Sequence, residues 1–471
     1  MAMRARLKLA SVGISVAIAL AACGGGSESG SPAPNSSAQS TLNFVVTDTP
    51  STGITVLSFQ IEITGAVLQP GNVSILPKPV TVDLAQLVSD TGFLSSSVID
   101  SATYSSLTLT FANPQLTIQN NTGVTLTLGG QPCSPGATCT FMPALDDASL
   151  AISSGVFPLT LTANASTGLN LDLSIPDLLQ SDLSVTFANG NSVNLSLLPD
   201  APIRIDDMLA TVSSVGGNQL NVTTAFGDAL VLNEGSDSSY KYPQETCASD
   251  DATCVMAGQV VAVDASLGSD GTLIIDSLSY LGSTGAPLVK ALVLSSPASS
   301  SSSVAVLLQR GLNVPSLTFG ELANVTLASN STYSVATAAY PSVPSASFAS
   351  PADLLPGQEL ILSVGSVANT GGVASFTTSS VFLNSSQVFG DVATLSSGTA
   401  SLSIDSLTGL FTAPGLHIES IDVQTDSTTV FVGAGALTDF KTGQIVVAKG
   451  PLFNVPGSSS PALAAVQIAA R

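Results

Sequence analysis

Tryptophan is missing from all 471 residues, histidine occurs once, at His417, and only 9% of residues are charged. Each shortage closes off a class of function. A transmembrane β-barrel needs aromatic girdles at both membrane interfaces, and 6 Tyr and 17 Phe without Trp supply them poorly. A single histidine cannot build a multi-histidine metal site, and any imidazole acid–base mechanism would rest on His417 alone. That residue lies in Leu416-His417-Ile418-Glu419, where alternation puts it on the solvent or edge side of a strand. Positive charge is also scarce: 11 Lys and Arg stand against 32 Asp and Glu, a formal charge of −21. A phosphate backbone would be repelled, so no nucleic-acid partner is expected. Neither a G-x-S-x-G elbow nor a phosphate-binding loop occurs.

Apolar residues are plentiful instead, at 44% with a mean hydropathy of +0.46, and they alternate. Leu57, Phe59, Ile61 and Ile63 interleave with Ser58, Gln60, Glu62 and Thr64, the period-2 pattern of a half-buried strand. The pattern recurs at Leu107-Leu109-Phe111, Leu169-Leu171-Leu173 and Leu183-Val185-Phe187. Asn189-Gly190 then separates the last run from Val193-Leu195-Leu197, which predicts a hairpin. Short strands broken by Gly, Pro and Asn predict an all-β protein of sandwich or barrel type. A helix of one or two turns is expected only around Leu84–Ser89, outside the N-terminal segment.

That segment has Arg4, Arg6 and Lys8, then an uncharged stretch from Leu9 to Leu20, too short to span a bilayer. It ends in Leu20-Ala21-Ala22-Cys23 and closely resembles the bacterial lipoprotein signal. The resemblance implies cleavage of residues 1–22 and acylation of Cys23, and three acyl chains anchor a protein durably. Because Gly24 is not aspartate, it also implies the outer membrane, facing the periplasm or the surface, if the organism is Gram-negative. Residues 23–40 form the lipidated cysteine and a Gly/Ser/Pro tether, whose r.m.s. reach is roughly 23 Å. Loss of the signal's three cations would take the formal charge from −21 to about −24.

In an oxidising envelope the remaining cysteines form two local pairs, Cys133/Cys139 and Cys247/Cys254, each among turn-formers, and are expected as disulfides. Zinc is the alternative, disfavoured by the C-x5-C and C-x6-C spacings and the single histidine.

Residues 41–200 carry four motifs in order: Phe44-Val45-Val46-Thr47-Asp48-Thr49-Pro50, Ile61-Glu62-Ile63-Thr64, Val82-Asp83-Leu84-Ala85-Gln86-Leu87 and Tyr104-Ser105-Ser106-Leu107. They resemble the N-terminal domain of an uncharacterised bacterial lipoprotein family with a Thr-Asp-Ala-Pro turn, Thr49 replacing its alanine. The resemblance implies an Ig- or transthyretin-like sandwich and no established activity. The rest repeats. Gly258-Gln259, Gly357-Gln358 and Gly443-Gln444 each lead into a hydrophobic strand, downstream of strands near Tyr240, Tyr333 and Val430. Tandem modules are expected at 208–283, 288–386 and 388–471. The repeat resembles an uncharacterised envelope family, which implies small OB-like barrels. The expected fold is therefore one sandwich followed by three OB-like barrels, each closing its own core with few contacts between modules.

Chemistry is sparse. Ser238-Ser239-Tyr240-Lys241 and Lys441-Thr442-Gly443 match two of three penicillin-recognising motifs, but the S-D-N element is missing and both fall in repeat strands and turns. Asp146-Asp147, Asp206-Asp207 and Asp250-Asp251 lack calcium-loop spacing and read as solvated turns. Tyr240, Tyr242 and Tyr333 are the candidate sugar platforms. No catalytic residue, metal or cofactor is expected. The expected role is a non-enzymatic structural or interaction module on a membrane anchor, with an envelope protein or glycan as partner. A surface glycan- or ligand-binding protein is the alternative, and a hydrolase has the least support.

Overall fold

The alternating runs become strands in the computed structural model, which describes residues 39–471 apart from 50–54, 88–90, 188–191, 200–201, 244–245, 298–301, 336–342, 397–400, 406, 408–409, 412–417 and 471. The expected signal, Cys23 and His417 lie outside the described residues. The chain is all-β, with a sandwich first and three closed barrels after it.

One sandwich sheet runs in the order Val193–Leu197, Ser166–Ser174, Gln39–Thr49, Gly92–Asp100. The other is built on Thr55–Gln69 and Ser106–Gln119, the longest pairing of the domain. Phe44 and Leu171 of the first meet Phe59, Ile61 and Leu109 of the second in one buried core. As the alternation predicts, Phe59, Ile61 and Ile63 are buried in that core, while Leu57, at a register shift, is buried instead against Leu307 and Leu410 of the later barrels. Ser58 and Gln60, expected in solvent, are buried too. The Ser58 hydroxyl donates to Asp83 Oδ2 at 2.6 Å, and the second barrel covers this face, where the Thr117 hydroxyl donates to the Gly320 carbonyl at 2.7 Å.

Two local expectations fail. The runs flanking Asn189-Gly190 do not pair with each other: Val185–Thr186 pairs in parallel with Leu145–Asp146, whereas Val193–Leu197 joins Ser166–Ser174. The Asn-Gly step itself lies outside the described residues, and the buried leucines of Ser166–Ser174 offer Val193–Leu197 a sheet edge that outcompetes the local partner. The expected helix near Leu84 is a 3-10 turn, Leu84–Gln86, capped by Asp83. A one-turn α-helix occurs instead at Ile175–Leu178, with proline in its first turn and the Ser174 hydroxyl donating to Asp177 Oδ2 at 2.7 Å.

The first barrel uses Ile203–Gly216, Gln219–Thr224, Ala229–Lys241, Val260–Leu267 and Leu273–Gly282. Its strands close in the order 1-2-3-5-4, the third lying parallel to the fifth and all other neighbours antiparallel, which is OB-like topology. The second barrel repeats this with Leu288–Val293, Ser303–Leu312, Leu322–Val335, Glu359–Ser363 and Val373–Leu383, plus an outlying strand at Val367–Thr370. In the third, Ser385–Ser396, Ser401–Asp405 and Ile445–Phe453 are single, while the third and fifth strands are each broken in two.

The Gly-Gln turn does the same work in each barrel. The amides of Gly258, Gly357 and Gly443 donate to the carbonyls of Val212, Val293 and Val392, and the following glutamine carbonyls accept from the same three valines. The glycines take φ of +91°, +85° and +78°, a region that penalises any Cβ. Each glutamine Oε1 accepts the amide three residues upstream, from Met256, Leu355 and Lys441, and so closes the turn before the strand.

The barrels are not independent. Leu209, Val260 and Ala262 of the first share a buried cluster with Leu288, Leu312 and Ile361 of the second. Phe453, Ala462 and Ala464 of the third enter the second barrel's core cluster, and Leu57, Leu307 and Leu410 join the sandwich to both. The expectation of few contacts between modules is overturned.

Candidate functional site

Seven Lys or Arg residues lie among the described residues, and four of them reach across module boundaries: Lys78, Lys290, Arg310 and Lys449. Lys78 bridges the sandwich to Asp228 of the first barrel at 3.0 Å, and Arg310 of the second stacks 3.9 Å over the Phe226 ring of the first. Lys290 and Lys449 converge on a buried ion cluster.

The cluster begins with a bulge. Ile205 pairs with Ala265 and Met208 with Val263, so Asp206 and Asp207 together oppose Asp264. Asp207 takes a φ of +57°, which lets two adjacent carboxylates serve one junction. Asp206 accepts from Arg204 Nε at 2.9 Å and from Lys449 Nζ at 3.1 Å. Asp207 faces Lys290 at 3.5 Å and Lys449 at 3.7 Å, contacts too long to satisfy either of its oxygens with a hydrogen bond. Lys290 also pairs with Glu359 at 2.8 Å, and Gln309 Nε2 donates to Glu359 at 3.3 Å. Asp264 accepts the Asp207 amide at 2.8 Å and the Ser277 hydroxyl at 2.6 Å. Lys449 is 2% exposed and Asp207 5%. Asp206-Asp207, expected as a solvated turn, is thus buried within the ion cluster, while Asp146-Asp147 and Asp250-Asp251 are exposed.

Burial and the surrounding charges pull these carboxyls apart. Burial alone would raise Asp206, but Lys449 and Arg204 outweigh it and hold the group below its usual range. Burial raises Asp207 against the pull of Lys290 and Lys449. Burial, followed by the charges of Asp206 and Asp207, pushes Asp264 up to about 7. A carboxyl whose folded pKa is raised gives stability that is complete below its unfolded value and lost as pH rises to the folded value. The cluster should therefore weaken between about pH 4 and 7, at up to ~1.4 kcal/mol per pH unit. Asp264→Asn keeps an acceptor for the Asp207 amide and can donate to Ser277, as the protonated acid would. Its urea midpoint should fall less than the wild type's between pH 5 and pH 8 and exceed it at pH 8. Parallel pH profiles would show that Asp264 is not the proton carrier.

This arrangement ties the three barrels to one another. The carboxylates are engaged by lysine, arginine and backbone groups, and no cluster of metal-ligating side chains occurs among the described residues. Ser238 has a structural task that recurs. Its hydroxyl donates to the Ile275 carbonyl at 2.5 Å and pins an excursion of the third strand onto the fifth. Ser331 does the same to Thr378 at 3.0 Å, and Thr429 to Ala465 at 2.8 Å. Lys441 lies in another barrel, at the Gly-Gln turn, where its amide closes onto Gln444.

The tyrosines proposed as sugar platforms are mostly packed inward. Tyr242 is buried and donates to Gln259 Oε1 at 3.0 Å, and Tyr333 stands edge-on to Phe348 with ring centroids 5.6 Å apart. Tyr240 is half-buried. Cys133–Cys139 and Cys247–Cys254 are disulfides, the second closing the approach to the first Gly-Gln turn. Sequence reasoning missed Arg204, Asp264, Lys290, Glu359 and Lys449. The available signal was a lone lysine inside each of two apolar strands, Leu288–Val293 and Ile445–Phe453. No protein-family model matches the chain, and no curated protein matches it in sequence.

Proposed function

We propose that the chain is a non-enzymatic, lipid-anchored envelope protein whose folded part serves as a rigid interaction scaffold. The observation that carries this reading is the ion cluster: a chain poor in cations uses Lys290 and Lys449 to lock three barrels together. Buried pairs of this kind favour one relative arrangement of the modules, because separating them strands unpaired charge. A fixed array of barrels on a tether suits a spacer or docking platform that displays surfaces at set positions. The anchor rests on Leu20-Ala21-Ala22-Cys23.

Cells fed an alkyne-labelled fatty acid should label the wild-type chain and not Cys23→Ser, and equal labelling would sink the anchor. Crosslinking in cells followed by mass spectrometry should then recover an envelope partner through surfaces of the barrels. Recovery of turnover products with a model ester, amide or glycoside substrate, abolished by one point substitution, would overturn the non-enzymatic reading.

A further inference from the structure

The junction of the first and second barrels leaves an open cleft of about 430 Å³. One wall is Tyr280 and Leu281 at the end of the first barrel, the floor is the linker with Ser283 and Pro287, and the far wall is Ser363 with Thr377–Ser380 of the second barrel. We infer that this cleft binds an uncharged carbohydrate. The inference goes beyond the scaffold reading and does not depend on the lipid anchor.

Volume admits a small ligand, since such sites run from about 300 to 1,000 Å³ and favour domain junctions. Charge narrows the class. No Asp, Glu, Lys, Arg or His lines the cleft, so an ionised ligand would lose water there without gaining a counter-charge. Hydroxyl chemistry narrows it further. Nearly half of the lining side chains are Ser, Thr or Tyr; the hydroxyls of Ser363 and Thr378 are engaged within the wall, and the others can donate and accept by turning one O–H. Their natural complement is a ligand whose own groups both donate and accept, which means hydroxyls and not carboxylates or ammonium groups. Among them Pro287 is exposed, with the edges of the buried Leu281, Leu288 and Val364 behind it, and its ring offers an apolar face to the C–H side of a sugar.

The walls are held before any ligand arrives. Ser363 Oγ accepts the amides of Ser379 at 3.1 Å and Ser380 at 2.9 Å, and the Thr378 hydroxyl donates to the Ser380 carbonyl at 3.0 Å. The amide of Val364 donates to the Pro287 carbonyl at 2.8 Å and ties the linker to the second barrel. The ion cluster and the shared apolar contacts between these barrels fix the wall-to-wall spacing. Pre-formed walls lower the ordering cost of binding.

The test titrates the full chain with maltotetraose, cellotetraose and chitotetraose, read by saturation-transfer NMR, with tetragalacturonate as the charged control. At least one neutral sugar should bind with a Kd on the order of 0.1–1 mM, and the charged one should not. Ala328→Trp fills the cleft and Ser379→Trp obstructs its rim. Each should weaken binding about 10-fold or more, with circular dichroism used to confirm folding. Saturation by none of the neutral sugars overturns the inference. So does equal binding of tetragalacturonate, or unchanged affinity in whichever of the two variants folds.

Discussion

Replacing Lys449 by methionine is expected to cost the folded chain about 3–5 kcal/mol, because the change removes one partner of a buried ion pair and leaves the other behind. Lys449 is 2% exposed and touches both Asp206 and Asp207. Without it, Asp206 keeps Arg204 at 2.9 Å, and Asp207 keeps the 3.5 Å contact with Lys290. An exposed pair would cost under about 1 kcal/mol, so the size of the loss separates a buried junction from a surface bridge. The loss should be larger at pH 8 than at pH 5, since protonation relieves a stranded carboxylate. Asp206→Asn in the same chain should return part of it. Calorimetry should show the first and third barrels losing stability together, because the lysine belongs to one and the aspartates to the other. A shift under 1 kcal/mol, or one confined to the third barrel, would mean that the cluster does not join them.

The barrels could be read from the chain because each rests on a local backbone demand. A Gly-Gln turn needs a positive φ followed by an amide side chain that folds back three residues, and both requirements appear as neighbouring letters. Strand alternation was legible for the same reason at Phe59, Ile61 and Ile63, but not at Leu57, which a register shift turns toward Leu307 and Leu410. The outer face of that strand was not, because Ser58 and Gln60 look solvent-bound until another module covers them. Asn189-Gly190 misled for a related reason. Turn chemistry proposes a partner, but the exposed edge of Ser166–Ser174 decided the pairing of Val193–Leu197.

The candidate site was almost wholly hidden. Its members stand at 204, 206, 207, 264, 290, 359 and 449, and only the closed barrels bring them together. Asp206-Asp207 was noticed and given the wrong surroundings. Adjacent residues of a strand point to opposite faces, but a bulge with Asp207 at positive φ breaks that rule, and no sequence period announces a bulge. Tyr280 was missed as a wall of the cleft because the cleft belongs to neither barrel alone.

The three turn glycines permit a comparison within one molecule. At Gly443 an added Cβ meets nothing within 4 Å, so Gly443→Ala should cost only the strain of a side chain at φ +78°, about 1–2 kcal/mol. At Gly357 the φ is +85°, and the same Cβ would run into the ring of Phe411, which belongs to the third barrel and is 2% exposed. Gly357→Val adds two more methyls to that contact. Its cost should therefore exceed that of Gly443→Ala by about 1–3 kcal/mol of overpacking. The turn is further tied to the third barrel by Gln358 Nε2, which donates to the Leu452 carbonyl at 2.9 Å. The valine variant should thus lower the stability of the second and third barrels together instead of loosening the second alone. Phe411→Ala would open a cavity, but combined with Gly357→Val it should cost less than the sum of the two single changes, since the ring that opposes the valine is gone. Urea unfolding of the four proteins measures this coupling directly. Strict additivity, or a third barrel that melts unchanged in Gly357→Val, would show that the glycine serves its own turn and nothing beyond it.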